Sequence, residues 1–285
     1  MKLQGSCHCG AVSFTVDSHG PQPYQRCYCS ICRKAHGAPF ATYLSTDMDS
    51  YRLVTGEGTI RRYESSPGFS RSFCATCGSV VPMRVGEGRI AIPAGCLDDD
   101  PGIRPSMHIF AASKAPWHPI TDNLPRHNAY SAESTLSEVA PPAGGSAAPG
   151  ILHGSCLCGG VAFEINEPFK VVHNCHCGRC RKARAAAHTT NGFISIDGIR
   201  FLKGEDLLLS YKVPEAKTYT PTFCRVCGAG MPRLRQETGN AIIPLGSLDG
   251  DPGRGAEDHI FAGSKAPWYD ITGNLPQFDE MPPAV

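Results

Sequence analysis

The sequence lacks the features that would place it in a membrane or on a nucleic acid. No window approaches the roughly 18 to 20 consecutive apolar residues that span a bilayer, and residues 1–6 contain no apolar signal-peptide core. The formal net charge is only +1, and no run of basic residues is longer than two. We therefore expect no nucleic-acid partner and no membrane, and we expect a soluble protein of the cytoplasm.

Cysteine, by contrast, is abundant, and its pattern repeats. The 285 residues include fifteen cysteines, and fourteen of them form two sets of seven with the same order of spacings. Each set reads C-x-C-G, then C-x-C-x-x-C, then F-C-x-x-C-G. The first set is Cys7, Cys9, Cys27, Cys29, Cys32, Cys74 and Cys77, and the second is Cys156, Cys158, Cys175, Cys177, Cys180, Cys224 and Cys227. The protein is therefore one unit written twice.

The spacing of the cysteines favours metal binding over disulfide formation. An odd number of cysteines grouped in C-x-C and C-x-x-C pairs differs from the scattered, even set of a secreted disulfide scaffold. Zinc would hold these thiols as thiolates and protect them from oxidation in a reducing compartment. A thioredoxin-like redox site is less well supported, because no βαβ pattern surrounds the C-x-x-C pairs.

Sequence shared outside the cysteines indicates that each repeat is a whole domain. Both copies end in the tail H-I-F-A-x-S-K-A-P-W, at residues 108–117 and 259–268. Residues 131–150 between the copies are rich in Ala, Pro, Ser, Glu and Gly, which is typical of a linker. We predict a first domain at 1–130, a linker at 131–150 and a second domain at 151–285. Whether the two domains pack together as an internal pseudo-dimer is left open.

Short apolar segments predict a mostly β fold. Val12, Phe14 and Val16 alternate with small or polar residues, as do the apolar residues at 161, 163 and 165, which is typical of half-buried strands. Glycines separate the later apolar segments, and only residues 33–35 and 181–183 suggest a short helical turn. On an extended strand both sulfurs of a C-x-C pair would lie on one face, so that both could bind one ion.

Seven cysteines per copy divide naturally into four and three, because a structural zinc takes four protein ligands. Pairing C-x-C with F-C-x-x-C-G gives a closed four-sulfur site in each copy, at Cys7, Cys9, Cys74 and Cys77 and at Cys156, Cys158, Cys224 and Cys227. The central run would then hold a zinc with three thiolates and an open fourth position, at Cys27, Cys29 and Cys32 and at Cys175, Cys177 and Cys180. Alternatively, a His, an Asp or a water closes the central site. Cys96 is aligned with Ser247, and we expect it to be a small buried side chain.

The three cysteine groups and the S-K-A-P-W tail resemble the glutathione-dependent formaldehyde-activating enzyme family, which shares its domain with centromere protein V. The resemblance covers nearly the whole of each copy. It implies an all-β protein of two tandem Mss4-like (β-tent) zinc-binding domains, each with a four-cysteine structural Zn²⁺ and a three-cysteine Zn²⁺ on the ligands divided as above. It also implies carbon–sulfur lyase chemistry, named for the condensation of glutathione with formaldehyde to S-hydroxymethylglutathione.

The leading functional hypothesis is a zinc-dependent carbon–sulfur lyase acting on adducts of a small thiol, such as glutathione, and a small aldehyde. The cysteines of the two central runs would then be catalytic, because a thiol bound at an open zinc position is deprotonated at neutral pH. The alternative is a zinc-stabilised interaction module with only structural metal, in which the duplication serves bivalent binding.

Other shared side chains have weaker functional readings. Arg33-Lys34 and Arg181-Lys182 could offset the charge of a trithiolate zinc or bind a substrate carboxylate, or they could be solvated surface pairs. His108 and His259 lie among apolar residues, where a histidine is more often structural than catalytic. Trp117 and Trp268 are expected to anchor a core or an interface.

The copies differ beside the open sites, and this difference predicts unequal activity. Gly37 is aligned with Ala185, and a glycine just beyond the third ligand would allow the backbone to approach a bound thiol. His176 stands where the first copy has Tyr28, but its side chain should point away from a metal bound by the two flanking cysteines. We therefore expect the first site to be the more active one.

Overall fold

The computed structural model describes residues 1–17, 23–130 and 150–283, and the chain there is mostly β-structure. The first copy contributes the strands β1 Lys2–Ser6, β2 Ser13–Asp17, β3 Tyr24–Cys27, β4 Ala41–Asp47, β5 Tyr51–Thr55, β6 Ile60–Ser66, β7 Phe69–Cys74, β8 Val80–Val81, β9 Met83–Arg84, β10 Arg89–Pro93 and β11 Met107–Ile109. The second copy contributes β12 Leu152–Ser155, β13 Ala162–Ile165, β14 Val171–Cys175, β15 Thr189–Ser195, β16 Ile199–Lys203, β17 Leu208–Ser210, β18 Thr222–Cys224, β19 Gly230–Met231, β20 Arg233–Arg235, β21 Asn240–Pro244 and β22 Asp258–Ile260. The predicted all-β class is confirmed.

The α-helices of the described residues are α1 Ser30–His36 and α2 Gly178–Arg184, one in each copy. No helix in this part of the chain has the length and apolar character needed to cross a membrane. Of the predicted linker at 131–150, residues 131–149 lie outside the described residues, so the domain boundaries stay a prediction.

The two copies have the same sheet topology. The first copy forms a sheet β1-β2-β5, a sheet β6-β7-β8 and a five-stranded sheet β11-β3-β4-β10-β9. The second forms β12-β13-β16, β17-β18-β19 and β22-β14-β15-β21-β20 in the same order. The outermost pairs β3–β11 and β14–β22 are parallel in both copies. The matching order shows that the repeat is a complete fold and not only a shared metal motif.

The helix in each copy begins earlier than the sequence indicated. The predicted turn started at residue 33, whereas α1 starts at Ser30 and contains Cys32 in its first turn. The sulfur of Cys29 caps the helix by accepting a hydrogen bond from the Cys32 amide, which is a role that Ser or Asp usually fills. The helix ends at Gly37 in the left-handed conformation, with a φ of 57°. In α2, Cys177 is the cap and Ala185 ends the helix in the same conformation at a φ of 51°.

The two copies pack against each other through reciprocal contacts of these helices. Helix α1 contacts the 3-10 helix Leu245–Ser247 of the second copy, and α2 contacts the 3-10 helix Ala94–Cys96 of the first. The Lys34 ammonium donates hydrogen bonds to the Ser155 carbonyl at 2.8 Å and forms an ion pair with Asp249. The first copy therefore supplies a buried cation to the second.

Lys182 makes the matching contacts in the opposite direction. Its ammonium donates to the Cys96 carbonyl at 2.7 Å and pairs with Asp98. The two lysines therefore neither offset the charge of the three-cysteine clusters nor form solvated surface pairs, and their partners are not substrate carboxylates. The lysines instead satisfy backbone and carboxylate oxygens across the interface, where a buried ammonium needs such partners.

Aromatic side chains also cross the interface in both directions. Trp268 is 1% exposed and lies in the core of the first copy, where its ring centroid is 6.1 Å from that of Tyr24. Trp117 lies in the core of the second copy and is 6% exposed. The prediction that the two tryptophans anchor a core or an interface is confirmed.

Glycines after the last cysteine of each copy make room for phenylalanines of the other. Gly78 has a φ of 75°, and a Cβ placed there would lie 2.3 Å from Cγ of Phe223. Gly228 has a φ of 73°, and its Cβ would lie 2.5 Å from Cγ of Phe73. These glycines are needed for the turn with its positive φ and also for the close packing of the two copies.

We expect Trp268→Ala to lower the free energy of unfolding by roughly 3 to 5 kcal/mol, because it empties a packed site in the core of the other copy. Val54→Ala is the control, since Val54 is 59% exposed, and it should change stability by less than about 0.5 kcal/mol. Urea unfolding of the two variants measures the difference. Equal stabilities would contradict the exchange of tryptophans between the cores.

Proteolysis within residues 131–150 should leave the two copies bound to each other. The exchanged tryptophans, lysines and phenylalanines would otherwise be exposed or lose their partners. Size-exclusion chromatography of the cleaved protein should show both fragments in one peak at the size of the intact chain. Fragments that elute separately under native conditions would show that the reciprocal contacts are too weak to hold the copies together.

Candidate metal centres

The four-cysteine groups assemble in both copies as the spacing predicted. The sulfurs of each group lie within 4.8 Å of one another. The Sγ atoms of Cys7 and Cys9 are 3.5 Å apart, and those of Cys158 and Cys224 are 3.8 Å apart. Four sulfurs bound to a tetrahedral zinc at about 2.3 Å lie about 3.8 Å from one another. The two clusters therefore have the donors and the spacing that fit such an ion.

The C-x-C pairs of these clusters lie in turns and not on strands. Strand β1 ends at Ser6 and β2 begins at Ser13, so Cys7 and Cys9 occupy the connection between them. The Gly10 amide donates to the Cys7 carbonyl at 3.1 Å and closes this turn. The amide of Val12 donates to the Cys7 sulfur at 3.3 Å. Both sulfurs still face one point, but a turn brings them there and the predicted extended backbone was wrong.

The three-cysteine groups also assemble in both copies. The sulfurs of Cys27, Cys29 and Cys32 lie within 4.8 Å of one another, as do those of Cys175, Cys177 and Cys180. The first two cysteines lie at the end of a strand and at the cap of the following helix, and the third lies in the first turn of that helix. Among the described residues, no histidine or carboxylate joins either group. Each group thus offers three protein donors, one fewer than a four-ligand structural zinc site.

Crowding of the thiols shifts their pKa values in opposite directions. Hydrogen bonds from Cys27 and Cys29 lower the pKa of Cys32 well below its usual value, and those from Cys175 and Cys177 do the same for Cys180. Hydrogen bonds to the neighbouring sulfurs raise the pKa of Cys27 well above it. A metal that binds three such sulfurs replaces the shared protons, so its affinity rises with pH.

The first three-cysteine cluster is joined to a buried chain of polar side chains. The Arg71 guanidinium donates to the Cys32 sulfur at 3.3 Å and to the Tyr43 hydroxyl at 3.0 Å. The Tyr43 hydroxyl lies 2.8 Å from Nε2 of His36, and Nδ1 of His36 lies 2.7 Å from the carbonyl oxygen of Arg184 in the second copy. Burial lowers the pKa of His36 to about 4, so its ring is neutral.

The second three-cysteine cluster faces a cavity of about 790 Å³. The Tyr219 hydroxyl lies 3.7 Å from the Cys180 sulfur at the wall of this cavity, and burial raises its pKa well above the usual value. Five cationic side chains and one carboxylate also line the cavity, namely Arg179, Arg184, Lys217, Arg233, Arg235 and Glu215. The cluster therefore opens onto a large and positively charged space.

The histidines singled out in the sequence take structural positions away from the sulfurs. His108 bonds through Nε2 to an Asp122 carboxylate oxygen at 2.6 Å. His259 bonds through Nδ1 to Nε2 of His176 at 2.8 Å, and both rings are buried. As predicted, His176 points away from the cluster that its neighbours form. His108 and His259 therefore have the structural role that the sequence favoured.

A family model described as "Glutathione-dependent formaldehyde-activating enzyme" matches residues 2–113 and 151–264. The chain belongs to this family. A curated relative from Halomonas elongata, whose name assigns it to the same enzyme family, is 49% identical over an alignment of 128 residues, and the match covers 41% of this chain and 80% of the relative. A crystal structure of a Rhodobacter sphaeroides protein is 27% identical and covers 35% of this chain and 92% of its own, with a TM-score of 0.29. The two segments that the family model matches fit the two tandem domains of the fold.

The structure removes the reason for expecting the first site to be the more active. Gly37 ends α1, and a Cβ at this position would meet Pro244, Arg184 and Gly230 of the second copy at ordinary contact distances. Gly37 therefore packs against the other copy, where Arg184 and Pro244 line the cavity of the second cluster, and Gly37 itself is not part of that lining. Ala185 adopts the same backbone conformation, so the exchange of glycine for alanine does not distinguish the two sites.

The protein should bind up to four zinc ions, two held tightly and two that a chelator removes first, because the three-cysteine clusters each lack one protein ligand. Metal analysis before and after mild chelation tests this content. Cys29→Ser should lower the capacity by one ion. Cys96→Ala is the matched control and should leave it unchanged, since the Cys96 sulfur belongs to no cluster and bonds to the Val80 carbonyl. A content of two ions with freely alkylated central cysteines would contradict the division into four and three.

Proposed function

We propose that this protein is a zinc-dependent carbon–sulfur lyase that forms or cleaves adducts of a small thiol, such as glutathione, with a small aldehyde. The observation that carries the proposal is the second three-cysteine cluster, which faces a cavity of about 790 Å³. This volume lies within the range of about 300 to 1,000 Å³ that small-molecule sites occupy. A closed structural site has no need of such a space.

The charges around the cavity favour glutathione as the thiol. Glutathione carries two carboxylates and one ammonium group beside its sulfhydryl. Arg184 and Arg233 line the cavity together with Arg179 and Lys217, and their positive charges match the two carboxylates. Arg235 also lines it but is paired with Glu237 at 3.0 Å. Glu215 is the carboxylate of the lining and matches the ammonium group. A neutral cavity would bind a small uncharged thiol as well as glutathione.

The side chains at this site would hold the metal and place a hydrogen-bond donor beside it. Cys175, Cys177 and Cys180 would bind the zinc, which supplies a Lewis acid that lowers the pKa of a bound thiol. Tyr219 keeps its proton at neutral pH and can donate a hydrogen bond within the cavity. In the forward direction the thiol sulfur bonds to the carbonyl carbon, and the thiol proton ends on the carbonyl oxygen. The reverse reaction breaks the same bond and needs no other reactant.

Cys27, Cys29 and Cys32 would hold the equivalent ion in the first copy, and the two four-cysteine clusters would each hold a structural zinc. Fifteen cysteines without a disulfide suit a reducing compartment such as the cytoplasm. The interaction-module alternative expects no binding of small thiols. The cationic cavity beside an open cluster supports the enzyme over that alternative.

Arg233→Gln should lower kcat/KM for glutathione with formaldehyde roughly tenfold or more, because a charged hydrogen bond to a carboxylate is lost. The same variant should leave the reaction of 2-mercaptoethanol unchanged, since that thiol has no carboxylate. Arg61→Gln is the control, because Arg61 is exposed on the first copy. Exchange NMR measures adduct formation and cleavage above the uncatalysed rate. Full acceleration by Cys177→Ser, with its structural zinc intact, would overturn the proposed function.

A further inference from the structure

We infer that the two three-cysteine sites have different tasks: the second binds the thiol, whereas the first is a closed, charge-neutral metal site that fixes the interface between the copies. The inference rests on the proposed function for the identity of the thiol. The difference between the two sites is argued from the side chains that surround the two clusters.

The positions that line the cavity in the second copy carry buried side chains in the first. The strand registers align Tyr43 with Asn191, since each lies opposite a proline, Pro93 or Pro244, on the neighbouring strand. The same comparison aligns Arg71 with Pro221 and Met83 with Arg233. Tyr43 and Arg71 are each 7% exposed and Met83 is 2% exposed. Large buried groups therefore fill the first copy where the second keeps a space.

Hydrogen bonds join these buried groups in a fixed direction. A carbonyl oxygen only accepts, so Nδ1 of His36 donates to the Arg184 carbonyl and Nε2 is left as an acceptor. The Tyr43 hydroxyl must then donate to Nε2 and accept from Arg71. The second Arg71 nitrogen donates to the Cys32 sulfur. The chain thus runs from the first cluster to the end of α2 in the second copy, and it occupies both terminal nitrogens of Arg71, the Tyr43 hydroxyl and both ring nitrogens of His36. Among the described residues, Nε of Arg71 has no hydrogen-bond partner.

The charged side chains next to the two clusters also differ. They neutralise the first cluster directly, whereas at the second they face the cavity. Three thiolates and one divalent ion carry a net charge of −1, and a buried charge is costly unless it has a partner. Arg71 supplies that partner at the first cluster by direct contact with Cys32. At the second cluster the side chain in contact with Cys180 is the neutral hydroxyl of Tyr219. Its cations line the cavity, where they can reach the carboxylates of a thiol ligand.

The binding stoichiometry of reduced glutathione on the zinc-loaded full chain tests this assignment. Isothermal titration calorimetry should give one glutathione per chain. Cys29→Ser should retain this binding and Cys177→Ser should lose it, with the remaining zinc content of each variant measured alongside. Two equivalents in the unaltered protein would overturn the inference, and so would binding that is lost in Cys29→Ser and retained in Cys177→Ser.

Two further variants test the closing groups themselves. The double substitution Tyr43→Asn with Arg71→Met should let the first site bind a second glutathione, and a stoichiometry that stays at one with zinc retained would contradict their role. Arg71→Met alone should speed zinc loss from the first site roughly tenfold, because it removes a charged hydrogen bond, whereas Arg71→Lys should restore most of the retention. Equal rates in the methionine and lysine variants would show that the charge is not what holds the metal.

The outcomes separate this inference from the proposed function. If one glutathione binds at the second site but adduct exchange is not accelerated, the lyase proposal fails and the division of tasks stands. If exchange is accelerated but glutathione binds at both sites, the division of tasks fails and the lyase proposal stands.

Discussion

The structure depends on a reciprocal contact between the two copies. Each copy binds the α-helix of the other, and that helix carries the third cysteine of a three-cysteine cluster. Helix α1 carries the third cysteine of the first three-cysteine cluster, and its Lys34 is bound by Ser155 and Asp249 next to the second four-cysteine cluster. Lys182 on α2 is bound in the same way by the first copy. A buried ammonium without those oxygens would be strongly destabilising. The metal clusters and the interface are therefore parts of one arrangement.

Much of the candidate site could be predicted because ligand chemistry is local and countable. Ligand counting favoured the separation of Cys74 and Cys77 from the central run, since zinc accepts four ligands and the copies offer seven each, and the sulfurs group in this way. Alternating apolar residues and the family resemblance predicted the all-β class. The glycine after each last cysteine belongs to the repeated pattern, and both glycines have a positive φ.

The rest could not be predicted, because it depends on contacts between segments far apart in the sequence. Lys34 is followed by more than a hundred residues before Ser155, and no local pattern marks that partner. Arg71 and Tyr219 are not equivalent positions, so comparing the copies cysteine by cysteine overlooked both. One signal in the sequence could have indicated that the two sites differ. Two residues before the shared phenylalanine, the first copy has Arg71 and the second has Pro221. The interpretation of Gly37 as a place for a bound thiol was wrong, because its left-handed conformation ends a helix. Ala185 adopts the same conformation at the end of the other helix.

Joining the two copies in one chain has a consequence for how the sites can change. In an assembly of two identical subunits every substitution occurs at both sites, so a side chain that closes one pocket closes the other. Here the codon for Arg71 is separate from the codon for Pro221. One site can therefore become closed while the other stays open. Both copies can still keep the residues of the interface between them. Covalent duplication frees the sequence from the symmetry that the fold still shows.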